Sequence, residues 1–209
     1  MLREGFQYGA GFGAAAVLVG YLAGPFFAAP VAALGLFTAF FFRDPDRVVP
    51  AEPGLAVSPA DGRVAGLRQV EHEGRPRNRV SIFLSPLDVH VNRSPVEGLI
   101  REVRYSPGRF LAAWREQASL ENERNTIVVE GEYGEVIVQQ IAGVLARRVV
   151  CWKKSGESIA RGERIGLMKF GSRMDVLLDP AWNLEVKPGD RVRGGVSVLA
   201  RRAPGGAVS

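Results

Sequence analysis

KSGESIARGERIG, Lys154 to Gly166, and KPGDRVRGGVSV, Lys187 to Val198, are two versions of one pattern once a single inserted residue is allowed. Each reads as a turn, a strand carrying a basic residue, a glycine turn and another strand. Upstream, the chain continues in short β-branched runs punctuated by glycine: VSPADGRVAGLRQV from Val57, RVSIFLSP from Arg79 and TIVVEGEYGEVIVQQIAG from Thr126. Their period is that of strands. One helical candidate interrupts them, Phe110 to Leu120, with Phe110, Leu111, Trp114 and Ala118 on one face. Repeated glycine turns between short strands predict a compact barrel-like sandwich. KFGSRMDVLLD, Lys169 to Asp179, lies between the two copies, which places Ser172 at a strand-to-strand junction.

The expected fold class is therefore mainly β, a barrel-sandwich-hybrid-like domain similar to lipoyl and biotinyl domains, with one short helix. An N-terminal membrane-associated helical hairpin precedes it. From Gln7 to Phe42 no residue is charged, and the run is rich in Ala, Gly, Leu, Val and Phe. About twenty apolar residues span a bilayer, so this stretch allows one long span or two short ones. Gly24-Pro25, near its middle, is where a helix breaks. Arg3 at one end and Arg43 and Arg47 at the other favour a hairpin with both ends on the cytoplasmic face. A single tilted span, a re-entrant segment and a secretory signal are the alternatives. The expected organisation is an anchor over 1–43, a linker over 44–55 and a catalytic β-rich domain over 56–209.

A net charge of +5 in 209 residues favours an anionic partner. No aromatic residues interleave with the arginines as in single-strand binding, so a membrane surface is expected rather than nucleic acid. The lone cysteine, Cys151, excludes an internal disulfide and any cysteine-rich metal site. Its neighbours Val149, Val150 and Trp152 suggest a buried thiol in a strand.

Four stretches can carry chemistry. In KFGSRMDV, a glycine before a serine lets the hydroxyl of Ser172 swing back onto the Gly171 carbonyl, although Gly-Ser is also a common turn. Attack there gives an ester, β-elimination gives dehydroalanine, and loss of ammonia leaves a pyruvoyl group able to act as an electron sink. In SPADG, Asp61 precedes Gly62, which is also the commonest hairpin-turn signal. In FLSPLDVHVNRSP, His90 projects opposite Val89 and Val91 if the segment is extended. The only other histidine, His72, lies in the charged turn EHEGRPRNR, so His90 is the candidate general base. ENERN, Glu121 to Asn125, reads as a solvated loop.

Taken in order, the apolar N-terminus, SPADG, SPLDVHVNRSP, ENERN and KFGSRMDV resemble the phosphatidylserine decarboxylase family in its short bacterial and archaeal form, over roughly Val57 to Leu178. The resemblance implies a proenzyme that cuts itself by autocatalytic serinolysis between Gly171 and Ser172. The β chain would be 1–171 and the α chain 172–209, the two forming a heterodimer or a higher oligomer. It implies a covalent pyruvoyl group derived from Ser172 as the cofactor (pyruvate), no metal, and a Schiff base with phosphatidylserine, yielding phosphatidylethanolamine and carbon dioxide at the cell membrane. It gives Asp61 and His90 the parts of a Ser-His-Asp arrangement. Larger members carry a second histidine three residues beyond His90; here Arg93 stands there, with a fork suited to the substrate phosphate or carboxylate. Two rival readings are a membrane-tethered barrel-sandwich adaptor without catalysis, for which Lys169 is the only nearby modifiable lysine, and a pyruvoyl decarboxylase of a soluble amino acid.

Overall fold

The computed structural model describes residues 3–111, 121–143, 149–168 and 172–202. The predicted helix over Phe110–Leu120 falls outside the described residues from position 112 onward, as do Lys169 and Gly171. The chain forms two compact units, Met1–Asp46 and Arg47–Ser209.

The first unit is a helical hairpin of α1 (Arg3–Ala23) and α2 (Pro25–Phe41). Gly24 adopts φ 93 between them, a conformation open to glycine, and Pro25 starts the second helix where its missing N–H costs nothing. Small residues let the helices approach closely. A Cβ placed on Gly35 would lie 2.9 Å from that of Phe12, and one on Gly20 would lie 3.3 Å from that of Ala28. Val17, Leu18, Tyr21, Leu22, Phe26, Phe27 and Leu36 point outward and are exposed. Glu4–Ala23 is long and apolar enough to cross a membrane, whereas α2 is a shorter apolar helix.

The second unit is built from fourteen described strands: β1 (Leu55–Val57), β2 (Gly62–His72), β3 (Arg75–Leu84), β4 (Val91–Arg93), β5 (Gly98–Ser106), β6 (Arg124–Gly131), β7 (Gly134–Ile141), β8 (Val149–Cys151), β9 (Ser158–Ile159), β10 (Arg164–Met168), β11 (Ser172–Leu178), β12 (Asn183–Leu184), β13 (Arg191–Val192) and β14 (Val198–Arg201). They make an eight-stranded curled sheet, β13-β2-β3-β11-β7-β6-β5-β9, and two three-stranded sheets, β1-β14-β12 and β4-β10-β8. The order reads the same from both ends. A pseudo-twofold between β11 and β7 exchanges β13 with β9, β2 with β5, β3 with β6, and the two small sheets with each other.

The C-terminal repeat seen in the sequence is one expression of this symmetry. Its copies supply β9 and β13, the two edges of the large sheet, and Gly162 and Gly195 both adopt φ 76. The second expression is a pair of serine-proline turns, Ser58–Gly62 and Ser94–Gly98. Val57 N–H donates to the Pro95 carbonyl at 2.9 Å and Arg93 N–H donates to the Pro59 carbonyl at 2.8 Å, so the turns are cross-bonded. Each serine hydroxyl caps its own turn, Ser58 on the Ala60 carbonyl (2.7 Å) and Ser94 on the Val96 carbonyl (2.6 Å). Each serine carbonyl accepts from a repeat glycine, Gly195 and Gly162, at 2.8 Å. The bulges recur as well, between Val64 and Gly66 in β2 and between Ile100 and Glu102 in β5.

The core lies on the concave face of the large sheet: Val80, Ile82, Leu84, Val136, Val138, Met174, Val176 and Leu178, with Ala56 and Ala200 from a small sheet. Cys151 is half-buried in β8, and burial pushes its thiol above the ordinary cysteine range.

Gly62→Ala would put a Cβ 2.3 Å from the Phe83 carbonyl oxygen. The variant is expected to lose about 1–3 kcal/mol of stability, read from its denaturant midpoint. Cys151 is expected to alkylate at pH 8 more slowly than a small free thiol, followed by mass, because only the thiolate reacts.

Candidate active site

Ser172 opens β11, the strand held between β3 and β7, and all seven residues of that strand are buried. It pairs with Leu84, so its side chain shares the concave face with Met174, Val176 and Leu178. The Ser172 hydroxyl is fully buried and has no hydrogen-bond partner among the described residues. A buried hydroxyl ordinarily finds one. The concave face changes character here. Past Met174 and Val138 the apolar residues give way to Ser172, Gln140 and Asn125, all at one end of the sheet.

His90 reaches this end on the loop that follows β3, whose last residue Leu84 is the partner of Ser172. The loop is closed by Asp88. Its carboxylate accepts from the Ser85 N–H and hydroxyl, both at 2.8 Å, and from Arg191 at 3.0 Å. The Asp88 carbonyl lies 2.9 Å from Nδ1 of His90, which is fully buried. A carbonyl only accepts, so Nδ1 carries the proton and the basic lone pair of the neutral ring sits on Nε2.

Asp61 takes both carboxylate oxygens to Nη2 of Arg47, at 2.8 and 3.0 Å, and accepts the Gly194 N–H at 2.8 Å. Among the described residues it makes no hydrogen bond to His90. The SPADG turn docks on β4 at Arg93, through the Pro59 carbonyl. Glu97 occupies the place equivalent to Asp61 in the other serine-proline turn and pairs with Arg161 at 3.3 Å. The Arg93 side chain is buried and donates through Nη1 to the Gly162 carbonyl at 3.0 Å.

ENERN is not a solvated loop. Asn122 and Asn125 are buried, and Arg124 begins β6. The Asn122 amide donates to the carbonyls of Ala142 (2.7 Å) and Leu111 (2.8 Å) and accepts the Leu111 N–H at 2.9 Å, tying two segments together. On the opposite face of β11 from Ser172, Arg173 and Asp175 form a buried pair with contacts of 2.9 and 3.0 Å. Asn92 and Gln140, fully buried and bonded to each other at 2.8 Å, were not marked by sequence pattern. Their only signal was the polar residue in VHVN and the QQ ending an otherwise apolar strand.

A family profile described as phosphatidylserine decarboxylase matches residues 34–200. A phosphatidylserine decarboxylase proenzyme of Solibacter usitatus is 53% identical over 202 residues, covering 97% of this chain and 97% of its own length. Proenzymes of the same name from Nitrosomonas europaea and Solidesulfovibrio magneticus are 46% and 49% identical, over 95% and 80% of this chain and 93% and 80% of their own lengths. By that profile and by these near full-length likenesses, the chain belongs to the phosphatidylserine decarboxylase family.

Proposed function

We propose that this chain decarboxylates phosphatidylserine to phosphatidylethanolamine and carbon dioxide, after cutting itself between Gly171 and Ser172. Family membership supports the reaction and weighs against both a carrier domain and a decarboxylase of soluble amino acids. The observation that carries the self-cleavage is the Ser172 hydroxyl, buried and unbonded among the described residues at the first position of a central strand. Such an orphaned nucleophile fits a residue that is to be consumed. Nε2 of His90 takes the hydroxyl proton as Oγ attacks the Gly171 carbonyl and passes it to the amide nitrogen, which leaves as an amine to give an ester. Loss of the Cα proton of residue 172 expels the Gly171 carboxylate. The resulting dehydroalanine tautomerises, adds water and releases ammonia, leaving a pyruvoyl group.

That ketone supplies the electron sink when the substrate amine is bound. The chain's own residues do the rest. Pairing of β11 with β3 and β7 keeps residue 172 in place after the cut, so the β chain 1–171 and the α chain 172–209 stay joined as a heterodimer. His90, reprotonated from solvent in each turnover, gives a proton to the carbon that has lost carbon dioxide. Asp61, held by Arg47, is assigned to the processing step, and Arg93 to the headgroup anion. Helix α1 and a lipid substrate together support attachment to the membrane, with the β domain on the cytoplasmic side.

Intact mass of the wild-type protein is expected to show two chains, the smaller beginning at position 172 with a blocked, keto N-terminus. Ser172→Ala should remain one chain and form no phosphatidylethanolamine; a cut in that variant overturns the assignment. In enzyme already cut, the role given to His90 makes a loss of about 10²–10⁴-fold in kcat the expected result of His90→Gln, measured on enzyme reassembled from the α chain of processed wild-type protein and a β chain carrying the exchange. Arg93→Ala is expected to raise KM for phosphatidylserine; an unchanged KM would assign Arg93 to the Gly162 turn alone.

A further inference from the structure

Gln140 reaches from β7 in the large sheet to Asn92 on β4 in a small one. Its Nε2 donates to Asn92 Oδ1 at 2.8 Å, and the Val150 carbonyl, 3.4 Å from the same nitrogen, fixes which end of the amide is which. Gly166 makes room, since a Cβ there would lie 2.9 Å from that Nε2 and 2.1 Å from the Val150 oxygen. The bond leaves two atoms over. Asn92 Nδ2, a donor, and Gln140 Oε1, an acceptor, are buried and have no partner among the described residues.

The pseudo-twofold provides an internal comparison. Through the ladder registers Asn92 corresponds to Ala56, Gln140 to Leu178 and Gly166 to Ala200. Those three are fully buried members of the apolar core. The same junction is thus closed in the other half without any polar atom, and closure does not require amides. They occur at the end of the sheet where Ser172 stands. Gln140 lies opposite Met174, two residues from Ser172 on the same face, a diagonal of about 7–8 Å between Cα atoms. A surplus donor beside a surplus acceptor complements an α-amino acid head, whose carboxylate accepts and whose amine donates.

We propose that Asn92 and Gln140 recognise the serine headgroup, Asn92 Nδ2 donating to its carboxylate and Gln140 Oε1 accepting from its amine. This rests on residue 172 being the reacting end of the site. A neutral amide suits a carboxylate that must depart. A guanidinium would grip the ground-state anion and lose that interaction as charge leaves the carboxylate, which raises the barrier. The amide orients the group while holding it less tightly.

Two variants remove the donor by different routes. Asn92→Asp keeps the oxygen to which Gln140 donates. Gln140→Glu draws the Asn92 nitrogen onto its own carboxylate. In mixed detergent micelles, each is expected to be cut at position 172 as fully as wild type and to raise KM for phosphatidylserine at least about tenfold, while Ki for phosphatidylethanolamine, an amine without the carboxylate, stays within about threefold or tightens. Overturning results are a KM within about threefold of wild type, a product Ki weakened in step with KM, or folded variants that fail to cut, which would assign the pair to processing. Should one variant not fold, the other carries the comparison; should neither fold, the pair is a strut and the proposal falls. An uncut, active wild type would overturn the Ser172 assignment and this proposal with it, a result distinct from a cut enzyme whose KM the variants leave unmoved.

Discussion

Two backbone hydrogen bonds hold the halves of the β domain in register: Val57 N–H to the Pro95 carbonyl and Arg93 N–H to the Pro59 carbonyl. Proline has no N–H to offer, so at each turn its carbonyl is the group that can reach across, and its fixed φ aims that carbonyl. Because the bonds are reciprocal, neither turn can shift without breaking both. The close approaches at Gly62 and Gly98 follow, since each strand leaves its turn with backbone packed against the carbonyl of Phe83 or Glu130. Position of β4 follows too, and with it Asn92 and the loop that presents His90.

A domain with this internal symmetry can be stabilised by the same apolar contacts twice, and departures from symmetry need a separate reason. At the position equivalent to Ser172 stands Gly134, at the start of β7 in a tight hairpin. Gln140 stands where the other half has Leu178, and Asn92 where it has Ala56. Each buried polar atom left without a partner costs about 1–3 kcal/mol. Ser172 Oγ, Asn92 Nδ2 and Gln140 Oε1 have none among the described residues, and all three lie at the end of the sheet where the proposed chemistry takes place.

The strand period, the glycine turns, the C-terminal repeat and the break at Gly24-Pro25 were legible in the sequence because each depends on local backbone geometry. SPADG and SPVEG, Ser58–Gly62 and Ser94–Gly98, are an equally local repeat, in which the Asp-Gly turn signal of the first is matched by Glu97-Gly98 in the second. The burial of Asn122 and Asn125 was not legible. Alternation distinguishes the two faces of a strand but not a solvated polar face from one turned into a polar cavity end. The partner of Asp61 was equally hidden: Arg47, fourteen residues upstream, meets it only once the chain has turned back on itself, and no spacing rule selects that arginine over the others.

That partner choice bears on how the serine is activated. In hydrolytic triads a carboxylate orients the histidine and stabilises its charged form. Here Nδ1 of His90 already donates to the Asp88 carbonyl, and both Asp61 oxygens are engaged by Arg47. A neutral carbonyl fixes the tautomer as well as a carboxylate does, so the ring does not need Asp61 to carry its basic lone pair on Nε2. Under the proposed reaction each chain cuts itself once, so Asp61 is free to be held by Arg47 throughout the later turnovers. The same tautomer suits the second proposed task, in which Nε2 is the nitrogen that would carry a proton to the carbon left behind by carbon dioxide.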